Sequence, residues 1–101
     1  MNKPVFHPTS MDKLKLIEHQ PISDERGFLN RLFCETTFHH LMQGKKIQQI
    51  NQTLTRKKGT VRGFHFQFPP HAEIKIVSCL KGKVWDVAVD LRKGSSTFLH
   101  Y

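Results

Sequence analysis

Between Val61 and Leu91 the chain is dominated by short runs of strand-forming residues broken by Pro and Gly. Three stretches there, residues 61–67, 73–80 and 84–91, have the length of β-strands and are rich in β-branched and aromatic side chains. Pro69-Pro70 separates the first from the second, because proline supplies no amide to a ladder. Lys81-Gly82-Lys83 is short enough to join the second and third as a hairpin. Strands at such spacing, punctuated by Gly and Pro, point to a sandwich or barrel. The expected fold class is therefore mainly β.

The rest of the chain carries weaker signals. Residues 12–19 place Leu14, Leu16 and Glu18 on one face, as a strand would. Residues 21–27 read as a turn, with Gly27 just before the apolar Phe28-Leu29. Residues 35–41 suit a short helix ended by Gly44, and residues 46–55 resume a strand-like texture. The basic turn Arg56-Lys57-Lys58-Gly59 closes that stretch. With 101 residues and no internal repeat, the chain is one domain or part of one. Eight Phe, one Trp and one Tyr separate it from the low-hydrophobicity class of disordered segments.

No apolar run approaches the roughly 20 residues that span a bilayer. Met1-Asn2-Lys3-Pro4 lacks the apolar stretch of a secretory signal. The expectation is a soluble cytoplasmic protein without a membrane partner. Cys34 and Cys79 have no spacing suited to zinc and are expected to be ordinary reduced thiols. The net charge of +8 would suit a nucleic-acid backbone, a smaller phosphorylated ligand, or simply a solvated basic surface. Charge alone does not choose among them.

Alternation puts Val61, Gly63, His65 and Gln67 on one face of the first candidate strand, and Phe64 with Phe66 on the other. The His65 face is either a ligand-lined barrel interior or a plain solvent-facing side, and periodicity by itself favours the latter. Lys75, among apolar neighbours, is an edge-strand gatekeeper or a charge aimed into a pocket; the pattern alone favours the gatekeeper. Asp86, between Val84 and Ala88, is a candidate for a partly buried carboxylate paired with a cation, whereas Asp90 at the strand end is expected to be solvated. No metal is expected: His65 and His71 are six residues apart across Pro69-Pro70, and the adjacent His39-His40 diverge.

Several of these segments together resemble a known family. Asp24-Glu25-Arg26-Gly27-Phe28, then Gln49-Ile50-Asn51, then Lys58 through Gln67 (KGTVRGFHFQ) occur in order, followed by Lys75 and by Val84 through Ser95 (VWDVAVDLRKGS). The ordered set closely resembles the dTDP-4-dehydrorhamnose 3,5-epimerase family, from about Leu16 to Tyr101. The resemblance implies a cupin-like jelly roll that works as a dimer, without a metal or other cofactor. It further implies epimerisation of a nucleotide-linked 4-keto-6-deoxy sugar by proton abstraction at C3 and C5, in dTDP-rhamnose and lipopolysaccharide O-antigen biosynthesis. The 4-keto group makes neighbouring C–H bonds acidic, so a base, an enolate-stabilising cation and an opposing acid are required. Histidine suits the first task. By resemblance His65 is that base and Lys75 faces the keto oxygen. Arg26 and Arg62 bind the diphosphate, and Gln49 and Asn51 contact the nucleotide side. These implications make the pocket readings of His65 and Lys75 the preferred ones. The basic charge acquires a use without nucleic acid. Strict alternation still places Arg62 opposite His65, so it requires either a bulge or a side chain reaching round from the strand end.

Two departures bear on that implication. Arg31 stands where rhamnose-pathway members usually have a glutamate that contacts the nucleotide base, which bears on dTDP as the nucleotide; relatives acting on other keto sugars, or epimerising only one carbon, are an alternative. The 101 residues also correspond to the front half of the family's usual extent. The tyrosine acid and the aspartate that orients the histidine belong to the other half, and Tyr101 has the wrong context for that acid. The expectation is a single N-terminal portion, residues 1–101, of an incomplete jelly roll with unpaired edges. Such a chain is expected to be impaired on its own, and to work as a homodimer or with a complementing C-terminal half. The alternative is a non-catalytic sugar-nucleotide-binding or interaction module that keeps the pocket.

Overall fold

The computed structural model describes residues 2–101. Its regular structure consists of two small antiparallel hairpins followed by one helix. In the first hairpin, β1 (Val5–Pro8) pairs with β2 (Lys15–Glu18), with Phe6 opposite Ile17 and His7 opposite Leu16. An aromatic residue facing a β-branched one is a favourable cross-strand pair, and both are half-buried. Nε2 of His7 lies 2.7 Å from the Glu18 carboxylate across the ladder. The Thr9 hydroxyl secures the connection: it lies 2.9 Å from the Leu14 carbonyl and accepts from the Met11 amide at 3.2 Å. That connection consumes residues 9–14, which is why the strand expected over 12–19 is confined to β2. Leu16 is 64% exposed; its neighbour Ile17 is the inward residue. Periodicity gave no sign of β1, whose four residues include Pro8.

The turn expected over 21–27 is present as a tight hairpin. β3 (Ile22–Asp24) pairs with β4 (Gly27–Leu29), Asp24 standing opposite Gly27. Gly27 has φ +136°, a conformation that L side chains rarely adopt, and this accounts for glycine at the turn exit.

The helix α1 spans Glu35–Met42, one residue beyond the expected range. Glu35 in its first turn complements the helix dipole. Gln43 at φ +52° and Gly44 at φ +75° end it in the left-handed region. Phe38 and Met42, four residues apart on one face, are buried. Phe38 meets the ring of Phe6 edge-on at 5.2 Å and that of Phe33 at 5.0 Å. This cluster joins the helix to the first hairpin and, with Met11 and Met42, supplies the apolar core.

From residue 43 onward the structure contains neither strand nor helix. The three strands expected over 61–67, 73–80 and 84–91 form no ladder, and the Lys81-Gly82-Lys83 bend joins no hairpin. Residues 46–55 likewise form no strand. Alternation states which side chains share a face; it does not supply the neighbouring backbone whose N–H and C=O groups a strand requires. The apolar face intended for a core is correspondingly open: Val61 is 88%, Phe64 74% and Trp85 94% exposed. The chain is thus β-rich in its ordered elements, as small antiparallel hairpins with one helix.

Candidate active site

The six residues singled out by sequence lie on exposed segments. Arg26 occupies the β3–β4 turn, where the Asp24 carboxylate accepts its amide at 2.9 Å and its guanidinium at 2.7 Å. The Arg26 guanidinium, and next its amide, hold the Asp24 carboxyl below its ordinary value. Its positive charge is therefore already partnered. Gln49 and Asn51 are exposed along the irregular stretch that follows the helix.

Arg62 turns back across the basic turn. Its Nε donates to the Thr55 hydroxyl at 3.0 Å and Nη2 to the Leu54 carbonyl at 3.3 Å. With no ladder in this region there is neither a bulge nor a strand end to reach round; the side chain turns back onto Leu54 and Thr55. His65 is exposed, and its ring folds toward Gly63: a Cβ built on Gly63 would lie 3.5 Å from Nδ1 of His65 and 3.4 Å from its backbone nitrogen. Gly63 has φ +104°, so a side chain there would be strained as well as close to the ring. Lys75 pairs with Glu73 at 3.5 Å, both about half exposed.

Among the described residues no hydrogen bond or ion pair joins any two of these six. The structure does not assemble His65, Lys75, Arg26 and Arg62 around a shared cavity. A cleft of about 400 Å³ lies elsewhere, between the β1–β2 connection (Thr9, Met11, Leu14) and residues Trp85, Val87 and Tyr101.

The buried carboxylate is Asp90, not Asp86. Asp86 is exposed, and Asp90, expected to be solvated, is 5% exposed. The chain after Asp90 wraps around it. Its carboxylate accepts from the Arg92 amide at 2.9 Å, from Arg92 Nε at 3.0 Å, and from the Ser95 and Thr97 hydroxyls at 2.6 Å each. The backbone closes the same loop, His100 accepting from the Asp90 amide and Leu99 donating to the Asp90 carbonyl. The Arg92 guanidinium first, then the two hydroxyls and the Arg92 amide, hold the Asp90 carboxyl far below the usual carboxylate range. A sequence signal for this existed. Asp90-Leu91-Arg92 repeats the Asp-x-Arg spacing of Asp24-Glu25-Arg26, and in both the carboxylate binds the amide and guanidinium of the residue two ahead.

A depressed carboxyl pKa fixes the sign of a pH dependence. The unfolded chain binds the proton first, so the stability Asp90 contributes is complete above about pH 4 and is lost progressively below it. Thermal melts at pH 7, 5 and 3 are expected to show a fall at the acid end that is markedly smaller in Asp90→Asn. Equal acid slopes in the two proteins would contradict this role for the carboxylate.

Cys34 departs from the ordinary thiol expected of it. It precedes α1, and the Thr36 hydroxyl 3.2 Å away, followed by the amide of Thr37, lowers its pKa to about 6. Cys34 and Cys79 are both free. No helix among the described residues is long and apolar enough to cross a membrane.

A histidine near a glycine and a lysine ten residues on, with arginines in the same stretch and at the Asp24–Gly27 turn, are residue types able to move a proton and bind an anion. The sequence model of the dTDP-4-dehydrorhamnose 3,5-epimerase family matches residues 8–101, and the chain belongs to that family. It is 40% identical over 93 residues to the dTDP-4-dehydrorhamnose 3,5-epimerase of Sinorhizobium fredii (strain NBRC 101917 / NGR234), covering 92% of this chain and 48% of that protein. Similar relatives of the same name occur in Shigella flexneri (37% identical, 89% of this chain and 50% of the relative) and in Methanothermobacter thermautotrophicus (37%, 92% and 49%). The chain spans about half the length of these curated relatives. No solved structure matches it.

Proposed function

We propose that the chain supplies the base-bearing half of an epimerase acting on a nucleotide-linked 4-keto-6-deoxy sugar, of the dTDP-4-dehydro-6-deoxyglucose type, in deoxysugar and cell-surface polysaccharide synthesis. The observation that carries this reading is the family match across residues 8–101, which includes the segment around His65. His65 abstracts the proton at C3 or C5, and Lys75 holds the enolate oxygen after exchanging its exposed contact with Glu73 for the substrate. Arg62 and Arg26 bind the diphosphate, Arg26 sharing its fork between Asp24 and phosphate, while Gln49 and Asn51 take the nucleotide side. The architecture is a cupin-like jelly roll completed by further chain, either a second half like that of the relatives or a second copy. Completion covers Val61, Phe64 and Trp85 and gives the strands at 61–67, 73–80 and 84–91 their ladders. The assembled protein works in the cytoplasm, as a dimer, without metal or cofactor.

The test is deuterium wash-in from D2O at C3 and C5 of dTDP-4-dehydro-6-deoxyglucose. It is run with the chain alone and with a polypeptide equal to the uncovered half of the Sinorhizobium relative. Exchange by the pair, and weak or no exchange by the chain alone, is the expected result. Ligand binding without exchange in either sample would favour a sugar-nucleotide-binding module instead.

A further inference from the structure

The excess positive charge is not spread along the chain. Residues 1–44 hold five basic and five acidic side chains, whereas residues 45–101 hold eleven and three. Between Glu35 and Glu73 there is no acidic residue at all, and in the middle of that interval stands Arg56-Lys57-Lys58. The local structure presents these cations as a unit. Thr60 donates its amide and its hydroxyl to the Lys57 carbonyl, at 3.4 and 2.8 Å, and closes the turn. Arg62, bonded to Thr55 and Leu54, ties the two ends of the loop together. Four cations are thus held within one short exposed loop.

Their charge is free, unlike that of the other candidate cations. Arg26 is paired with Asp24, Arg92 with Asp90, and Lys75 with Glu73. Among the described residues Arg56, Lys57, Lys58 and Arg62 form no ion pair. Confining four like charges in a closed loop is unfavourable unless a polyvalent anion offsets them. Arg62 spends Nε and Nη2 on the loop itself, so one guanidinium nitrogen remains for a ligand.

We propose that the turn Arg56-Lys57-Lys58 is a phosphate-binding element that, together with Arg62, takes the diphosphate of a nucleotide-linked ligand. This rests on the reading of the site as one for a nucleotide sugar. Lysines on a turn act as mobile point charges and reach the outer phosphate oxygens, while the anchored Arg62 fixes one end.

Calorimetric titration of the whole chain with inorganic pyrophosphate and with dTDP tests the proposal, using Lys57→Gln/Lys58→Gln and the control Lys45→Gln/Lys46→Gln, which removes the same charge elsewhere. The turn variant is expected to lose about tenfold or more in affinity for both ligands and to show a shallower salt dependence. The control is expected to stay within about twofold of the parent. Equal losses in the two variants, an unchanged turn variant, or no pyrophosphate binding by the parent would each overturn the proposal. So would a (dT)12 oligonucleotide that displaces pyrophosphate from the turn at equimolar phosphate. Turn-dependent pyrophosphate binding, with no epimerisation even by the chain paired with the completing half, would sink the catalytic reading and leave this element standing; exchange by that pair with an inert turn would do the reverse.

Discussion

Replacing His65 by alanine is expected to lower C3 and C5 deuterium exchange by about 100- to 10,000-fold in the completed protein, the contribution of a positioned general base. Affinity for dTDP should remain within about twofold, because in the proposed mechanism the imidazole acts on the sugar ring and the diphosphate is held by cations elsewhere. That split between chemistry and binding is the useful readout. A variant that loses binding and exchange together has lost the local fold around Gly63, where an added Cβ would lie 3.5 Å from Nδ1 of the imidazole. Retention of exchange by His65→Ala would remove the residue from the mechanism.

Phe38→Ala carries the largest expected effect on stability. Phe38 is 1% exposed and bridges β1 and α1 through its contacts with Phe6 and Phe33. Truncating a fully buried phenylalanine costs about 3–5 kcal/mol in lost burial and residual cavity. Small domains have a total stability of about 5–15 kcal/mol, and among the described residues the buried apolar side chains besides Phe38 are Met11 and Met42. The helix and the first hairpin should therefore separate, read as loss of helical circular dichroism and a collapsed thermal transition. Phe38→Leu, which keeps most of the volume, should retain the transition at a lower midpoint. A Phe38→Ala protein that melts like the parent would show that the cluster is not the core.

Several features were legible because they are local. The tight turn at Asp24–Gly27 follows from an Asp side chain that caps the amide two residues on and a glycine free to adopt positive φ. The helix over Glu35–Met42 follows from Phe38 and Met42 at helical spacing and from a Gln43-Gly44 exit. The basic turn at 56–59 and the order of motifs around Arg26, His65 and Lys75 are likewise properties of short segments. What those segments lack is a partner. Residues 61–91 have strand composition, yet form no ladder, because hydrogen-bonding partners are a property of the assembled sheet.

The sequence by itself named the candidates for the chemistry: His65 in its motif, Lys75 ten residues on, and Arg26 and Arg62. Only the tertiary structure decided which charges are already satisfied. Asp24 holds Arg26, Glu73 touches Lys75, and Asp90 is buried under Arg92, Ser95 and Thr97, while Asp86, the residue expected there, is exposed. Alternation could not make that distinction, because Asp86 and Asp90 share a face. Burial was settled by the chain that returns over Asp90 between Ser95 and His100, which brings the Ser95 and Thr97 hydroxyls to its carboxylate and none to that of Asp86.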